Sequence, residues 1–153
     1  MTISRVFLAV LLSCASGLAD GDTFAAKFDA LPQAVKDTAK AHMADAFPVS
    51  ISAAQSAQGW NYQINTRLNG KYHDLVIDDK GRLVAVKDET EFAAVPEAAK
   101  AAIQKSGAGF RVMSVEKVTE GDQVSYGAVI KDESAGTLVQ VRVGADGSVR
   151  AGK

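Results

Sequence analysis

Two stretches of this chain follow a single plan. Leu31-Pro32-Gln33-Ala34-Val35-Lys36 opens the first, and Val95-Pro96-Glu97-Ala98-Ala99-Lys100 opens the second 64 positions later. Each then passes through strand-like segments to a glycine turn, at Gly81 and at Gly147, 66 positions apart. A near-constant offset between both starts and both ends means one supersecondary unit used twice, with small loop differences. The chain is therefore expected to be α+β, built from two tandem helix-plus-four-stranded antiparallel sheet units. A unit of about 60 residues buries only about 60% of its unfolded surface and is marginal alone. The units are expected to pack together, and joining them edge to edge would share one curved sheet of about eight strands with both helices on one side.

The local pattern divides the chain into a lead-in over 20–30, a first unit over 31–87 and a second over 92–153. In the lead-in, Phe24 and Phe28 share one face of a helical turn. From Leu31 the apolar positions Leu31, Val35, Ala39, Met43 and Phe47 recur every four residues, with Pro32 in the first turn, where proline is tolerated, and Pro48 as the stop. Strands are expected at Val49–Ala53, Trp60–Leu68, Lys71–Asp78 and Leu83–Val86. Asn69-Gly70 between alternating runs is a strong hairpin signal, because both central residues of a type I′ turn need positive φ. That turn sets Leu68 opposite Lys71, Ile64 opposite Leu75 and Tyr62 opposite Ile77. It places Trp60, Tyr62, Ile64, Leu75 and Ile77 under the helix, and Asn61, Gln63, Asn65, Arg67, Tyr72 and Asp74 on the other face.

The second unit follows a charged connector, Lys87–Glu91. Val95, Ala99 and Ile103 form its helix stripe, with Glu97 at the start, Lys105 at the end and Ser106-Gly107 as the stop. Strands are expected at Phe110–Val118, Val124–Lys131, Thr137–Val143 and Ser148–Arg150. Val124, Tyr126, Ala128 and Ile130 face the helix, as do Val139, Val141 and Val143, which leaves Gln123, Ser125, Gln140 and Arg142 outward.

Composition bounds the function classes. The chain is 47% hydrophobic and 23% charged with a net charge of −1, and it has no basic run of the kind that nucleic-acid phosphates require. Residues 1–19 read as a signal peptide: Arg5 supplies the cation, Val6–Leu12 the apolar stretch and Ser13–Ala19 the small-residue end. Cleavage after Gly17-Leu18-Ala19 leaves Asp20 first and makes the protein periplasmic or secreted. Leu11-Leu12-Ser13-Cys14 is the other route, a lipoprotein-like box that would anchor the chain in the envelope through an acylated Cys14. Cys14 is the only cysteine, so stability must come from packing rather than from disulfides.

Catalytic chemistry finds no foothold. His42 and His73, even with Asp74 and Asp78 near by in sequence, do not make the three or four convergent ligands of a zinc site. Asp78-Asp79-Lys80-Gly81 lacks the alternating ligands and closing glutamate of a calcium loop and reads as a turn. No serine carries a nucleophile-elbow motif. Trp60 and Tyr62 read as core aromatics rather than as a ligand platform. No catalytic residue, metal or cofactor is expected.

Leu-Pro-x-Ala-Val opening a helix, followed by Trp-x-Tyr-x-Ile, Tyr-x-x-x-Val-Ile-Asp and a glycine turn before Leu-Val, resembles the PepSY-like domains of bacterial envelope proteins. The match covers Leu31–Val84 well and Val95–Val149 more loosely: Trp60 has no counterpart there, and Gly144 stands in the place of Asp78. That family is similar in fold to the β-lactamase inhibitor proteins, tandem repeats that present a sheet to an enzyme. The resemblance implies a non-enzymatic binding module for a protein partner in the cell envelope, an inhibitor or regulator of a peptidase or other enzyme. The partner-binding residues expected on the outward face are Asn61, Gln63, Asn65, Arg67, Tyr72, Asp74, Gln123, Ser125, Gln140 and Arg142. The alternative is a periplasmic small-ligand or metal-binding carrier that uses the groove between the units.

Overall fold

A computed structural model describes residues 23–43, 45–106 and 109–150. The expected signal peptide over 1–19, the Cys14 anchor and the Gly107 stop lie outside the described residues. Helix α1 spans Phe24–Asp29 and α2 spans Gln33–Met43. Strands β1 (Phe47–Ser56), β2 (Gly59–Leu68), β3 (Lys71–Asp78) and β4 (Leu83–Thr90) follow. After a 3₁₀ turn at Phe92–Ala94 come α3 (Glu97–Lys105) and strands β5 (Phe110–Glu120), β6 (Gln123–Asp132), β7 (Leu138–Gly144) and β8 (Val149–Arg150).

The Asn69-Gly70 turn forms as the sequence requires, with φ of 53° and 81°, and fixes Leu68 against Lys71, Ile64 against Leu75 and Tyr62 against Ile77. One face of β2 and β3 then meets α2. Val35, Ala39, Ile64, Leu75 and Ile77 are fully buried there, with Tyr62, Ile51 and Met43 packed around them. The α1 rings of Phe24 and Phe28 stack at 5.6 Å and pack against the same cluster. A second cluster joins Val95, Ala99 and Ile103 to Val115, Tyr126, Ala128, Ile130 and Val143.

Two separate helix-plus-four-strand units are not what forms. β4 and β5 pair antiparallel from Val86 opposite Thr119 to Thr90 opposite Val115, and all eight strands make one antiparallel sheet in chain order. The stretch expected as a connector is mostly strand, because β4 runs on to Thr90. Its charges find partners across the ladder: Asp88 Oδ1 lies 2.6 Å from His73 Nδ1, and the Tyr72 N–H donates to Glu89 at 3.0 Å.

Helix length limits what is buried. The 11 residues of α2 span about 16 Å at about 1.5 Å per residue, whereas the 10 residues of β2 span about 33 Å. Trp60, expected under the helix, therefore lies beyond its reach and is 41% exposed. Val139 at the far end of β7 is likewise uncovered. Phe47, expected on the helix stripe, begins β1 and is 70% exposed.

The two glycine turns perform the same packing task. A Cβ on Gly81 would lie 2.6 Å from the Ala34 carbonyl oxygen, and one on Gly147 would lie 2.6 Å from that of Ala98. Each turn thus sits directly on the first turn of its helix. In the first, Thr38 Oγ1 also donates to the Gly81 carbonyl at 2.5 Å.

Candidate functional site: the outer face of the sheet

The register that buries Ile64 and Leu75 turns Asn61, Gln63, Asn65 and Arg67 to the side away from the helices. There they face Asp78, Val76, Asp74 and Tyr72 of β3. The same side continues across the whole sheet. Cross-strand pairing runs from Ser50 through Asn65, Asp74 and Lys87 to Val118 and Ser125, so both halves contribute to one surface.

In the first half the polar side chains are tied to one another. Gln63 Nε2 donates to Asn65 Oδ1 at 2.8 Å and to Asp74 Oδ2 at 3.3 Å, and Asn65 Nδ2 donates to Ser50 Oγ at 2.8 Å. The Arg67 guanidinium lies 4.1 Å from the centre of the Tyr72 ring, while its Nη1 donates to the Gly70 carbonyl at 3.0 Å. Phe47 stands opposite Arg67 on the same side. An exposed corner of Phe47, Arg67 and Tyr72 therefore borders a hydrogen-bonded patch of Gln63, Asn65 and Asp74. Asn61 is set apart near the hairpin ends, where a cleft of about 660 Å³ is lined by Ser56, Gln58, Asn61, Asp78, Lys80, Arg82 and Val84.

Asp74 is the electrostatically unusual member. Half-burial strips water from its carboxylate and raises its pKa above the ordinary 3.8, outweighing the Thr66 N–H, the Lys87 charge opposite and the Gln63 amide. The ionised form is thus the disfavoured one in the fold. Below an unfolded value near 3.8 that penalty is absent, and stability is lost as pH rises through the raised folded value. Asp74→Asn is accordingly expected to melt at or above the wild-type temperature near about pH 7, with the difference closing by about pH 3. Paired thermal melts across that range check it. Asp78 behaves in the opposite way: the Arg82 backbone N–H foremost, with the Lys80 N–H and the Arg82 side chain, holds it below its usual range as part of a tight turn.

In the second half the expected residues separate by role. Gln140 is exposed, and Gln123 is exposed but accepts from Arg150 Nη1 at 3.0 Å. Ser125 is on the expected side yet only 2% exposed, so little of it is open on that face. It accepts from Arg142 Nε at 3.0 Å and steadies that side chain. Arg142 Nη2 lies 3.0 Å from Glu120 Oε2, an ion pair off the hydrogen-bond direction, which leaves that nitrogen buried without a hydrogen-bonded acceptor. Phe47, Ser50 and Lys87 were not anticipated as members of the face. Continuing the Asn69-Gly70 register one strand further on each side is what finds them.

The histidines lie elsewhere. His42 is exposed on α2, and His73 packs on the helix side against Asp88. Among the described residues no three His, Cys, Asp or Glu side chains are grouped closely enough to hold a metal ion, and no helix is long and apolar enough to cross a membrane.

In sequence the chain matches no family model and no curated protein. In structure it is similar to a provisionally periplasmic protein of Bacteroides eggerthii, with a TM-score of 0.64, 17% identity and coverage of 79% of this chain and 86% of that one. It is also similar to a DUF2874 family protein of Bacteroides uniformis, at 0.63, 18%, 78% and 86%. A BLIP-like protein of Bacteroides fragilis follows at 0.57, 16%, 80% and 85%. At these identities the likeness is one of fold: the chain folds like a BLIP-like protein.

Proposed function

We propose that this chain is an exported, non-enzymatic binding module of PepSY-like kind whose outer sheet face takes a protein partner in the cell envelope. In this reading it inhibits or regulates a peptidase or another enzyme. The observation that carries the reading is the preorganised patch on β2 and β3. Gln63 already donates to both Asn65 and Asp74, and Tyr72 is already stacked with Arg67. Side chains fixed before association lose little entropy on binding, and Tyr and Arg are the residue types that most often dominate interface energies. A half-buried carboxylate kept at a cost to stability fits a residue retained for binding rather than for folding. The signal-like N-terminus and the periplasmic neighbour support export, and the BLIP-like neighbour supports a sheet face used against a protein.

The test is recovery of partners from periplasmic extract on immobilised wild type and on an Arg67→Glu, Tyr72→Ala variant. Loss of two anchor side chains is expected to reduce capture of a genuine partner by at least about 10-fold. Equal recovery of every protein would remove the face from consideration.

The cleft beside Asn61 favours a second reading, a carrier for a small polar ligand. Its lining is polar apart from Val84, unlike the mostly apolar walls of typical ligand pockets, and this ranks it second. A thermal shift with small ligands that survives the Arg67→Glu, Tyr72→Ala change would favour it.

A further inference from the structure

Among the described residues, one strand of the eight carries no charge, and it lies at an edge of the sheet. β1 reads Phe-Pro-Val-Ser-Ile-Ser-Ala-Ala-Gln-Ser, whereas every other strand contains at least one Lys, Arg, Asp or Glu. Among the described residues β1 pairs only with β2, and Ser52, Ala53, Ala54 and Gln55 are all exposed. A free edge presents a row of unpaired backbone N–H and C=O groups, which proteins ordinarily guard with charges, proline or a bulge. Here Pro48 and the bulge between Pro48 and Ser50 guard the first residues, and no other described strand pairs with the regular stretch from Ser50 to Ser56. The opposite edge is treated differently: β8 covers part of β7, and Arg142 and Arg150 stand on that margin.

We propose that β1 is the pairing edge for a second copy of this chain, with Ser50–Ser56 of one protomer antiparallel to the same segment of its partner. A two-fold axis through Ala53 and normal to the sheet sets Ser52 against the partner's Ala54 and Ile51 against the partner's Gln55. A strand that pairs with itself must avoid like charges across the axis, and β1 is the one strand of this sheet that meets the condition without any balancing. Ser50, Ser52, Ala53, Ala54 and Ser56 are also small enough to allow close approach of a second strand. The axis keeps both outer faces on the same side and leaves Gln63, Asn65 and Tyr72 open, so the inference stands apart from what that face binds.

Sedimentation equilibrium of the purified protein between about 1 μM and about 1 mM, the range suited to a contact one strand long, tests this. The average mass is expected to rise toward twice that of the monomer. Over the same range, alternate backbone amides from Ser50 to Ser56 should gain protection from hydrogen exchange. Ala53→Lys places like charges at the axis and is expected to hold the chain monomeric, while Ala135→Lys on the β6–β7 connection leaves association intact. A monomer at all concentrations overturns the proposal, as does a dimer whose β1 amides gain no protection or one that persists in Ala53→Lys. Protection of β1 that appears only when a strand of another protein is added overturns it as well. Should Ala53→Lys fail to fold, the exchange pattern of the unaltered protein decides the matter alone.

Discussion

Gly81→Ala and Gly147→Ala are each expected to destabilise the protein by about 2–4 kcal/mol, against about 1 kcal/mol for Gly70→Ala. The three glycines have nearly the same backbone, with φ of 82°, 81° and 81°, so alanine meets the same left-handed strain at each. What differs is the surroundings. A Cβ at Gly70 meets nothing within 4 Å, whereas at Gly81 and Gly147 it would lie 2.6 Å from a helix carbonyl oxygen. That oxygen belongs to the backbone and cannot move aside without shifting the start of α2 or α3. For a domain of this size the larger effect corresponds to a fall of roughly 6–20 °C in Tm. Equal falls in all three variants would show that the seating of each turn on its helix contributes nothing.

This pair of contacts explains why the internal repetition was readable at all. The opening Leu-Pro or Val-Pro stretch and the closing glycine turn are far apart in sequence, yet in each half they touch, Ala34 with Gly81 and Ala98 with Gly147. A strong local signal, Asn69-Gly70, likewise set the register of β2 and β3, and with it the side of every candidate residue from Asn61 to Asp74. Where local signals are lacking, tertiary pairing decides the structure. Lys87–Glu91 has the composition of a solvated linker, and it takes the pairing of Lys87–Thr90 with β5, together with the contacts to His73 and the Tyr72 N–H, to reveal most of it as strand. Trp60 is uncovered because alternation specifies a side of the sheet but not how far a short helix extends over it, and Phe47, though it continues the four-residue repeat past Met43, begins β1 on the outer face. Ser125 lies on the side that alternation specifies, but it is buried and bonded to the long Arg142 side chain, a contact that no periodicity encodes.

The same β4–β5 ladder that corrected the fold carries the other large prediction. Ile64 in the first cluster and Ile130 in the second are 0% and 1% exposed, so Ile64→Ala and Ile130→Ala each remove buried methyl groups from a site with little freedom to collapse. The expected cost is about 2–5 kcal/mol apiece, a large share of the roughly 5–15 kcal/mol that holds a domain folded. The informative readout is Trp60, the only tryptophan, which lies in the first half on β2. If one hydrogen-bonded sheet makes the chain a single cooperative unit, Ile130→Ala in the second half lowers the urea midpoint of Trp60 fluorescence by roughly 1–2 M. Far-ultraviolet circular dichroism, which reports on all the strands, should move by the same amount. Weakly coupled halves would behave otherwise, with Trp60 unfolding at its original midpoint while the dichroism curve splits in two. The ladder from Val86–Thr119 to Thr90–Val115 is short beside the full sheet, but breaking it exposes two uncovered sheet edges and leaves each half near the size at which burial barely offsets chain entropy. Separation is therefore costlier than the five residue pairs along the seam alone would suggest, and coincident midpoints are the outcome that this topology demands.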